Sequence, residues 1–286
     1  MPQKHQIGAH VSIAGGFILA FERAFEMGAT TLQFFAKSPR GAASRRVTTE
    51  EANLVRNFPH RKDLRSGVIH ASYLLNFAQK MNPDHYQYRS LADDLENAEA
   101  LELDGVVVHL GKTKDADLHD SIKIYATTIA HLINHSPTKK VKLLLENTAG
   151  QGSEFGYRME EWGETLKLIR EKLKDPSRIA VCLDTAHVFS GGYDLRNKNA
   201  VDETLDQFDT HLGLNNLACV HLNDSKKPLA ARVDRHEDIG RGTIGEDGLS
   251  YFVQTLSKKS VPFVLETPET FTPFANQIQE VRSWIK

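Results

Sequence analysis

The sequence has little cysteine and no long apolar run. Its 286 residues include two cysteines, Cys182 and Cys219, both inside short apolar segments. Such scarcity excludes a disulfide-stapled secreted scaffold and favours buried free thiols in a reducing compartment. No apolar run approaches the roughly 20 residues that cross a bilayer, and residues 1–10 lack the charged and then apolar pattern of a signal peptide. We therefore expect an intracellular, soluble protein without a membrane partner.

The chain also lacks an excess of positive charge. Its formal net charge is −2, whereas a generic nucleic-acid binder is expected to be strongly basic. Basic residues are nevertheless concentrated in two predicted loops, although either cluster alone is most simply a solvated surface. One cluster holds Lys37, Arg40, Arg45 and Arg46, and the other holds Lys226, Lys227, Arg232, Arg235 and Arg241.

What the sequence does contain is eight short apolar runs separated by segments with helical periodicity. Nearly continuous apolar character is typical of strands buried on both faces of a parallel sheet. Between two of the runs, apolar residues from Met159 to Leu173 recur at spacings of 3, 4, 3 and 4, which predicts an amphipathic helix. The runs are 7–11, 31–35, 67–71, 105–110, 141–147, 179–187, 217–222 and 262–267.

Eight strands that alternate with helices form either a closed barrel or a doubly wound open sheet. An open sheet of the dinucleotide-binding type carries G-x-G-x-x-G after its first strand, and residues 9–16 (AHVSIAGG) do not match it. No linker rich in proline, glycine or serine divides the chain, and one barrel needs about 250 residues. We therefore predict the α/β class and a (β/α)8 TIM barrel, with one domain over residues 1–286.

Residues with metal-binding chemistry stand at or just after six successive predicted strands. In a barrel, the C-terminal ends of the strands meet at one rim, where active sites lie. A single histidine there is more often a core residue, and a single aspartate is more often a helix N-cap. Six coincidences on one rim weaken both interpretations. The candidates are His70, His109, Glu146, Asp184, His187, His221, Asp234, His236 and Glu266.

These nine candidates offer nitrogen and oxygen donors without thiolate. That set suits catalytic zinc or manganese better than a structural four-cysteine site. Nine ligands are too many for one metal, and two metals would leave buried ionisable groups unpaired, which is costly. Three metals with one bridging carboxylate account for all nine. Three divalent ions against four carboxylates leave a charge of about +2 at the rim, where a phosphate backbone would lie.

The remaining histidines supply a control. His10 follows the first strand, and a supporting role beside the ligands stays open for it. The others fall outside the strand ends, so we expect structural or surface roles for them. They are His5, His60, His85, His119, His131, His135 and His211.

The candidate residues stand in a motif series that resembles the endonuclease IV family of AP endonucleases. The series extends from about Gly8 to Pro268 with compatible spacing, and the ordered set is far more specific than any one segment. It comprises GAHVSIAGG (8–16), HASYLLN (70–76), VVHLGKT (107–113), LLENTAGQG (144–152), LDTAHVFSGGYD (183–194), HLNDSK (221–226), DRHEDIGRGTIGE (234–246) and LETP (265–268).

The resemblance implies a trinuclear zinc site, in which manganese is a possible substitute. It implies catalytic roles for the carboxylates of Glu146, Asp184 and Glu266, with Glu146 as the bridge between two zincs. By matching position, one zinc is held by His70, His109 and Glu146, the second by Glu146, Asp184, His221 and Glu266, and the third by His187, Asp234 and His236.

The resemblance further implies that Tyr73 and Arg40 enter the DNA at the lesion, with Lys37 as a neighbouring DNA contact. The chain departs from some family members at this place. Ala71 stands where a polar residue can occur, and residues 41–43 (GAA) follow Arg40 where a bulky aromatic is sometimes found.

The implied activity is hydrolysis of the phosphodiester 5′ to an abasic site in duplex DNA, which leaves a 3′-hydroxyl and a 5′-deoxyribose phosphate. A monomer suffices for this chemistry. A two-metal sugar isomerase or epimerase is the enzymatic alternative, but it would not need a third metal or two basic loops. A non-catalytic metal-loaded DNA-binding module is another alternative, and it would not need open coordination positions.

Overall fold

The computed structural model describes residues 5–38 and 45–285. Eight parallel strands close into a barrel in chain order, and the last of them pairs with the first. The predicted (β/α)8 fold is therefore confirmed. The barrel strands are β1 Ile7–His10, β2 Thr31–Phe34, β3 Ser66–His70, β4 Gly105–His109, β5 Lys142–Glu146, β6 Ile179–Asp184, β7 Leu217–His221 and β10 Phe263–Leu265.

Helices cover the outside of the barrel, and none of those in the described ranges is long and apolar enough to span a membrane. Glutamate and threonine side chains form a reciprocal capping box at the start of α2, between Thr48 and Glu51. The helices are α1 Phe17–Glu26, α2 Thr49–Arg56, α3 Tyr86–Ala100, α4 Leu118–His135, α5 Met159–Arg170, α6 Thr185–Gly191, α7 Lys198–His211, α8 Glu246–Ser257 and α9 Phe274–Trp284.

Two local features differ from the pattern of apolar runs. The run 179–187 is not one strand, because the Asp184 side chain accepts a hydrogen bond from the His187 backbone N–H and caps α6. The long segment after β7 contains a two-stranded antiparallel ribbon, β8 Asp224–Ser225 and β9 His236–Glu237. This ribbon returns His236 to the rim of the barrel.

Alternation along the strands separates an apolar layer from a polar layer inside the barrel. The apolar layer includes Val68, Val107, Leu144, Cys182, Cys219 and Val264. Both cysteines are buried free thiols, as expected from the sequence. Residues two positions further along a strand face the same side, and those are His70, His109, Glu146, Asp184, His221 and Glu266. The apolar layer thus forms the base on which the polar layer rests.

Candidate metal centre

The structure brings all nine candidate ligands together at the C-terminal rim. Register pairs His109 with Glu146 across β4 and β5, and Asp184 with His221 across β6 and β7. Donor atoms of eight of them fall into overlapping groups within 4.8 Å of one another, and the ninth, Asp234, contacts His187 and His236. The coincidence of strand ends that the sequence displays therefore corresponds to real proximity.

Glu146 lies at the middle of the site and is fully buried. Its Oε2 is 3.0 Å from His70 Nε2 and 2.9 Å from His109 Nε2. Its Oε1 is 2.9 Å from His221 Nδ1. One carboxylate therefore faces two separate sets of imidazoles, which is the arrangement that a bridging ligand requires.

A second group forms on the Oε1 side of Glu146. His221 Nδ1 is 3.2 Å from Glu266 Oε2 and 4.0 Å from Asp184 Oδ2. All four donors of this group, including Glu146, lie within 4.8 Å of one another. Three carboxylates around one imidazole nitrogen place strong negative charge at a buried point, which a proton on the imidazole or a metal cation can balance.

A third group lies further out. The Asp234 carboxylate spans two histidines, with Oδ2 3.3 Å from His187 Nε2 and Oδ1 3.2 Å from His236 Nε2. Asp184 Oδ2 also approaches His236 Nε2, at 3.6 Å. Asp184 therefore belongs by distance to the second and the third group, which the sequence pattern does not reveal.

The histidines are oriented by hydrogen bonds from their other ring nitrogen. The Nδ1–H groups of His70 and His187 donate to the backbone carbonyls of Ala71 and Asn147, at 2.7 and 3.0 Å. His236 Nδ1 is 3.2 Å from the carbonyl of Glu266. Each bond leaves Nε2 as the free donor atom, as metal-binding histidines require. The buried Nε2 atoms of His187 and His236 have no hydrogen-bond partner in the described ranges, so the site fits metal ions.

The charges of the candidate ligands point the same way. Burial raises the pKa of Glu146, but the imidazoles of His109 and His221 outweigh it and hold that pKa well below the usual range. Burial lowers the pKa of His236, yet Asp184 and Asp234 raise it to about 9. Protons on the histidines thus take the positions that cations would occupy, and metal binding must release them.

Three amide side chains that the sequence pattern did not single out form hydrogen bonds with the candidate ligands. Gln33 contacts His221 and Glu266. Asn223 donates to Asp184 Oδ2 at 2.7 Å, and Asn147 Oδ1 accepts from the Asp184 backbone N–H at 2.9 Å. The available signal was a polar residue within, or just after, an apolar run.

The residues expected to bind DNA differ in their exposure. Tyr73 is 41% exposed, and its ring packs edge-on to Phe35, 6.2 Å away, beside the rim cavity. The DNA contact expected of Lys37 requires correction, because its ammonium is buried 2.9 Å from Asp94 Oδ2. Arg40 lies outside the described residues.

The histidines chosen as controls stay away from the metal groups of the described ranges. His119 and His211 lie at the surface near Glu164 and Glu160, at 2.8 and 3.6 Å. The second basic cluster is exposed at all five positions. A cavity of about 430 Å³ opens at the metal groups, and Tyr73, His10 and Phe274 line part of it.

The chain is similar in sequence to a known family of barrel proteins and to two bacterial or archaeal endonucleases. Residues 21–286 match the family described as xylose isomerase-like TIM barrel. A probable endonuclease 4 of Halothermothrix orenii is 38% identical over 265 residues, 92% of this chain and 94% of the relative. A probable endonuclease 4 of Methanosphaerula palustris is 37% identical over 267 residues, 92% of each chain.

Two kinds of solved structure superpose on this chain, an endonuclease IV and a sugar epimerase-like protein. Endonuclease IV from Thermus thermophilus superposes with a TM-score of 0.83 at 35% identity, over 98% of both chains. A D-tagatose 3-epimerase-like protein superposes with a TM-score of 0.71 at 16% identity, over 98% of this chain and 96% of the other. The second likeness is one of fold alone.

Proposed function

This chain belongs to the endonuclease IV family, and on that premise we propose that it is a metal-dependent DNA-repair phosphodiesterase. Its substrate is duplex DNA with an abasic site, cut 5′ to the lesion to leave a 3′-hydroxyl and a 5′-deoxyribose phosphate. The observation that carries the proposal is that Glu146 is shared by two donor groups, with a third group beside them. A two-metal sugar isomerase needs no third group.

The donor set supports three zinc ions, with manganese as a substitute, because every donor is imidazole nitrogen or carboxylate oxygen. Zinc held by these residues would supply Lewis acidity, which lowers the pKa of a bound water to near neutrality and offsets charge on the phosphate. The three positions correspond to His70 with His109 and Glu146, to Glu146 with Asp184, His221 and Glu266, and to His187 with Asp234 and His236.

The protein itself contributes orientation and recognition. The carboxylates of Glu146 and Asp184, which are fully buried, and that of Glu266 would hold fixed negative charge around the metal positions beside the reacting phosphate. Exposed basic residues of the second cluster neutralise DNA phosphates without reading sequence. Extrusion of an abasic nucleotide is favourable for such a pocket, because the few kcal/mol of flipping cost is smallest at a damaged position. Tyr73 and Arg40 occupy the space left at the lesion.

One experiment tests the function directly. Purified protein is incubated with a duplex that carries a single tetrahydrofuran abasic analogue, and its metal content is measured by elemental analysis. We expect three metals per chain and a nick 5′ to the analogue. Binding without a nick would assign a non-catalytic module, and neither binding nor nick would favour the sugar isomerase. Sedimentation of the same sample tests whether the active species is a monomer of one domain over residues 1–286.

A further inference from the structure

The side chain of Gln33 lies between three residues of the site. It projects from β2 into the barrel and is fully buried. Its Nε2 is 2.6 Å from Glu266 Oε1 and 3.0 Å from His10 Nδ1, and its Oε1 is 2.8 Å from His221 Nε2. All three contacts are within hydrogen-bonding distance, so one amide joins two candidate metal ligands to His10.

The carboxylate of Glu266 determines which way this amide points. An ionised carboxylate has only acceptor oxygens, so the group 2.6 Å from it must be the NH₂ end of Gln33. The opposite orientation would set the amide carbonyl against the carboxylate. The carbonyl of Gln33 therefore faces His221 and accepts its Nε2–H.

This orientation gives the two histidines opposite tautomers. His221 uses its Nε2–H on Gln33 and presents the Nδ1 lone pair to Glu146 and Glu266, where a metal would lie. His10 receives the second N–H of the Gln33 amide at Nδ1, so its own proton is on Nε2. A hydrogen on Nδ1 of His10 would meet the hydrogens of the amide, whose nitrogen at 3.0 Å is nearer to Nδ1 than Glu266 Oε1 at 3.4 Å.

His10 lines the rim cavity, and Nε2 is the ring nitrogen that Gln33 does not use. The ring of His10 packs against Phe35 at 4.4 Å between centroids. Its side chain is 17% exposed. Within residues 5–38 and 45–285, Nε2 of His10 has no hydrogen-bond partner and is not among the fully buried unpaired atoms. Nε2 of His10 therefore offers a hydrogen-bond donor beside the metal groups, and it has no lone pair with which to bind a metal.

We propose that His10 is a substrate-binding residue that donates from Nε2 to a phosphate oxygen of the DNA backbone, and that Gln33 is the positioning residue that fixes this tautomer. The identity of the bound phosphate rests on the proposed function. The same amide explains why His221 serves as a ligand while His10, 3.4 Å from Glu266, does not. A ring nitrogen that carries a hydrogen can donate to phosphate but has no lone pair with which to bind a metal.

A matched pair of variants tests His10. In His10→Gln the amide nitrogen reaches the position of Nε2, whereas in His10→Asn it reaches only that of Nδ1. Both should keep the metal content of the wild type, because His10 is not a ligand. His10→Asn should weaken binding of abasic duplex and inhibition by inorganic phosphate by about tenfold or more, and His10→Gln should stay within a few fold. Equal binding in both variants and the wild type, or metal loss in His10→Asn, would overturn the proposal.

Nitrogen NMR of protein labelled at histidine reads the tautomer directly, in the metal-free and the metal-loaded protein. His10 should carry its proton on Nε2 in the wild type and on Nδ1 in Gln33→Glu, because a carboxylate accepts where the amide donated. A wild-type proton on Nδ1 overturns the assignment. This measurement needs no DNA. It therefore tests the tautomer of His10 even if the wild type fails to nick abasic duplex.

A double-mutant cycle tests whether Gln33 acts through His10. With metal content verified at saturating zinc, Gln33→Glu should weaken phosphate inhibition about as much as His10→Asn. The double variant should be no weaker than either single one. Additive losses, or metal loss from Gln33→Glu at saturating zinc, would assign Gln33 to the ligands alone and overturn its positioning of His10.

Discussion

The rim has a floor and a wall, and the protein builds them differently. The floor consists of the five candidate ligands that end strands, namely His70, His109, Glu146, Asp184 and His221. The wall consists of Tyr73, Asp234 and His236, which stand on the segments after β3 and β7. Glu146, Asp184 and His221 are fully buried, whereas the side chain of Asp234 is 44% exposed.

The floor and the wall differ in what fixes the positions of their side chains. Strand register fixes the floor, because each residue sits two positions beyond a packed apolar neighbour in the barrel. Local contacts fix the wall, such as the β8–β9 ribbon that carries His236. Damage to the floor should therefore cost several metals at once, and damage to the wall should cost one function at a time.

The largest expected effect is that of Glu146→Gln. The amide keeps the shape but removes the charge that two donor groups share, at distances of 2.9 to 3.0 Å. Metal affinity should fall by more than the roughly 10–100-fold that loss of an outer partner costs. Elemental analysis should show two of three metals lost, together with the nicking activity.

A wall variant and a surface variant sharpen this result. Asp234→Asn should lose only the third metal, because its carboxylate contacts only His187 and His236 within the metal site. His119→Ala should lose none, because His119 pairs with Glu164 at the surface. Equal metal loss in Glu146→Gln and Asp234→Asn would break the distinction between floor and wall.

The sequence could predict the candidate ligands of the floor and also Asp234 and His236 on the wall. The floor was predictable because alternation and strand ends are both readable in the chain, and the fold followed from the same eight runs. Gln33 was missed because one amide in an apolar run has no readable partner. Lys37 was placed wrongly, since a sequence does not show that Asp94 on α3 would bury its charge. Position within a strand is encoded locally, whereas pairing between distant segments is not.

Removal of the metals should make stability fall as pH rises. The pKa values of His109, His187, His221 and His236 are raised by carboxylates despite burial, that of His236 to about 9. Their contribution is complete below the unfolded pKa of about 6.5 and is lost as pH rises through the folded values. Lowered carboxylate pKa values, as in Glu146, act only when pH falls below about 4.

The gap in Tm between metal-loaded and chelator-treated protein should therefore widen from about pH 6.5 to about pH 9. Thermal unfolding at several pH values measures it. A gap that is constant over this interval would mean that protons do not replace the metals in the floor and the wall.

Lys37 and Lys227 are expected to differ in role. The first stabilises the fold through a buried ion pair, and the second is exposed and can contact DNA. Lys37→Met breaks a buried ion pair with Asp94 and should destabilise the protein by about 3–5 kcal/mol. The exposed Lys227 should behave oppositely. Lys227→Ala should leave Tm unchanged and lower the slope of log affinity against log salt by about 1. Unfolding curves and salt titrations of DNA binding test both, and a normal Tm with a reduced slope for Lys37→Met would restore Lys37 as a DNA contact.

The last expected effect concerns Tyr73, on the wall, and is confined to DNA binding. An exposed aromatic ring beside the rim cavity can stack on bases left unpaired at an abasic site, which is worth about 1–3 kcal/mol per base. Tyr73→Ala should therefore weaken binding of abasic duplex by about ten- to a hundredfold. Metal content and Tm should stay nearly unchanged because no ligand is lost. Equilibrium binding at fixed salt compares abasic with intact duplex. If both weaken equally, Tyr73 is a general DNA contact, and if the protein unfolds, its edge-on packing against Phe35 is structural.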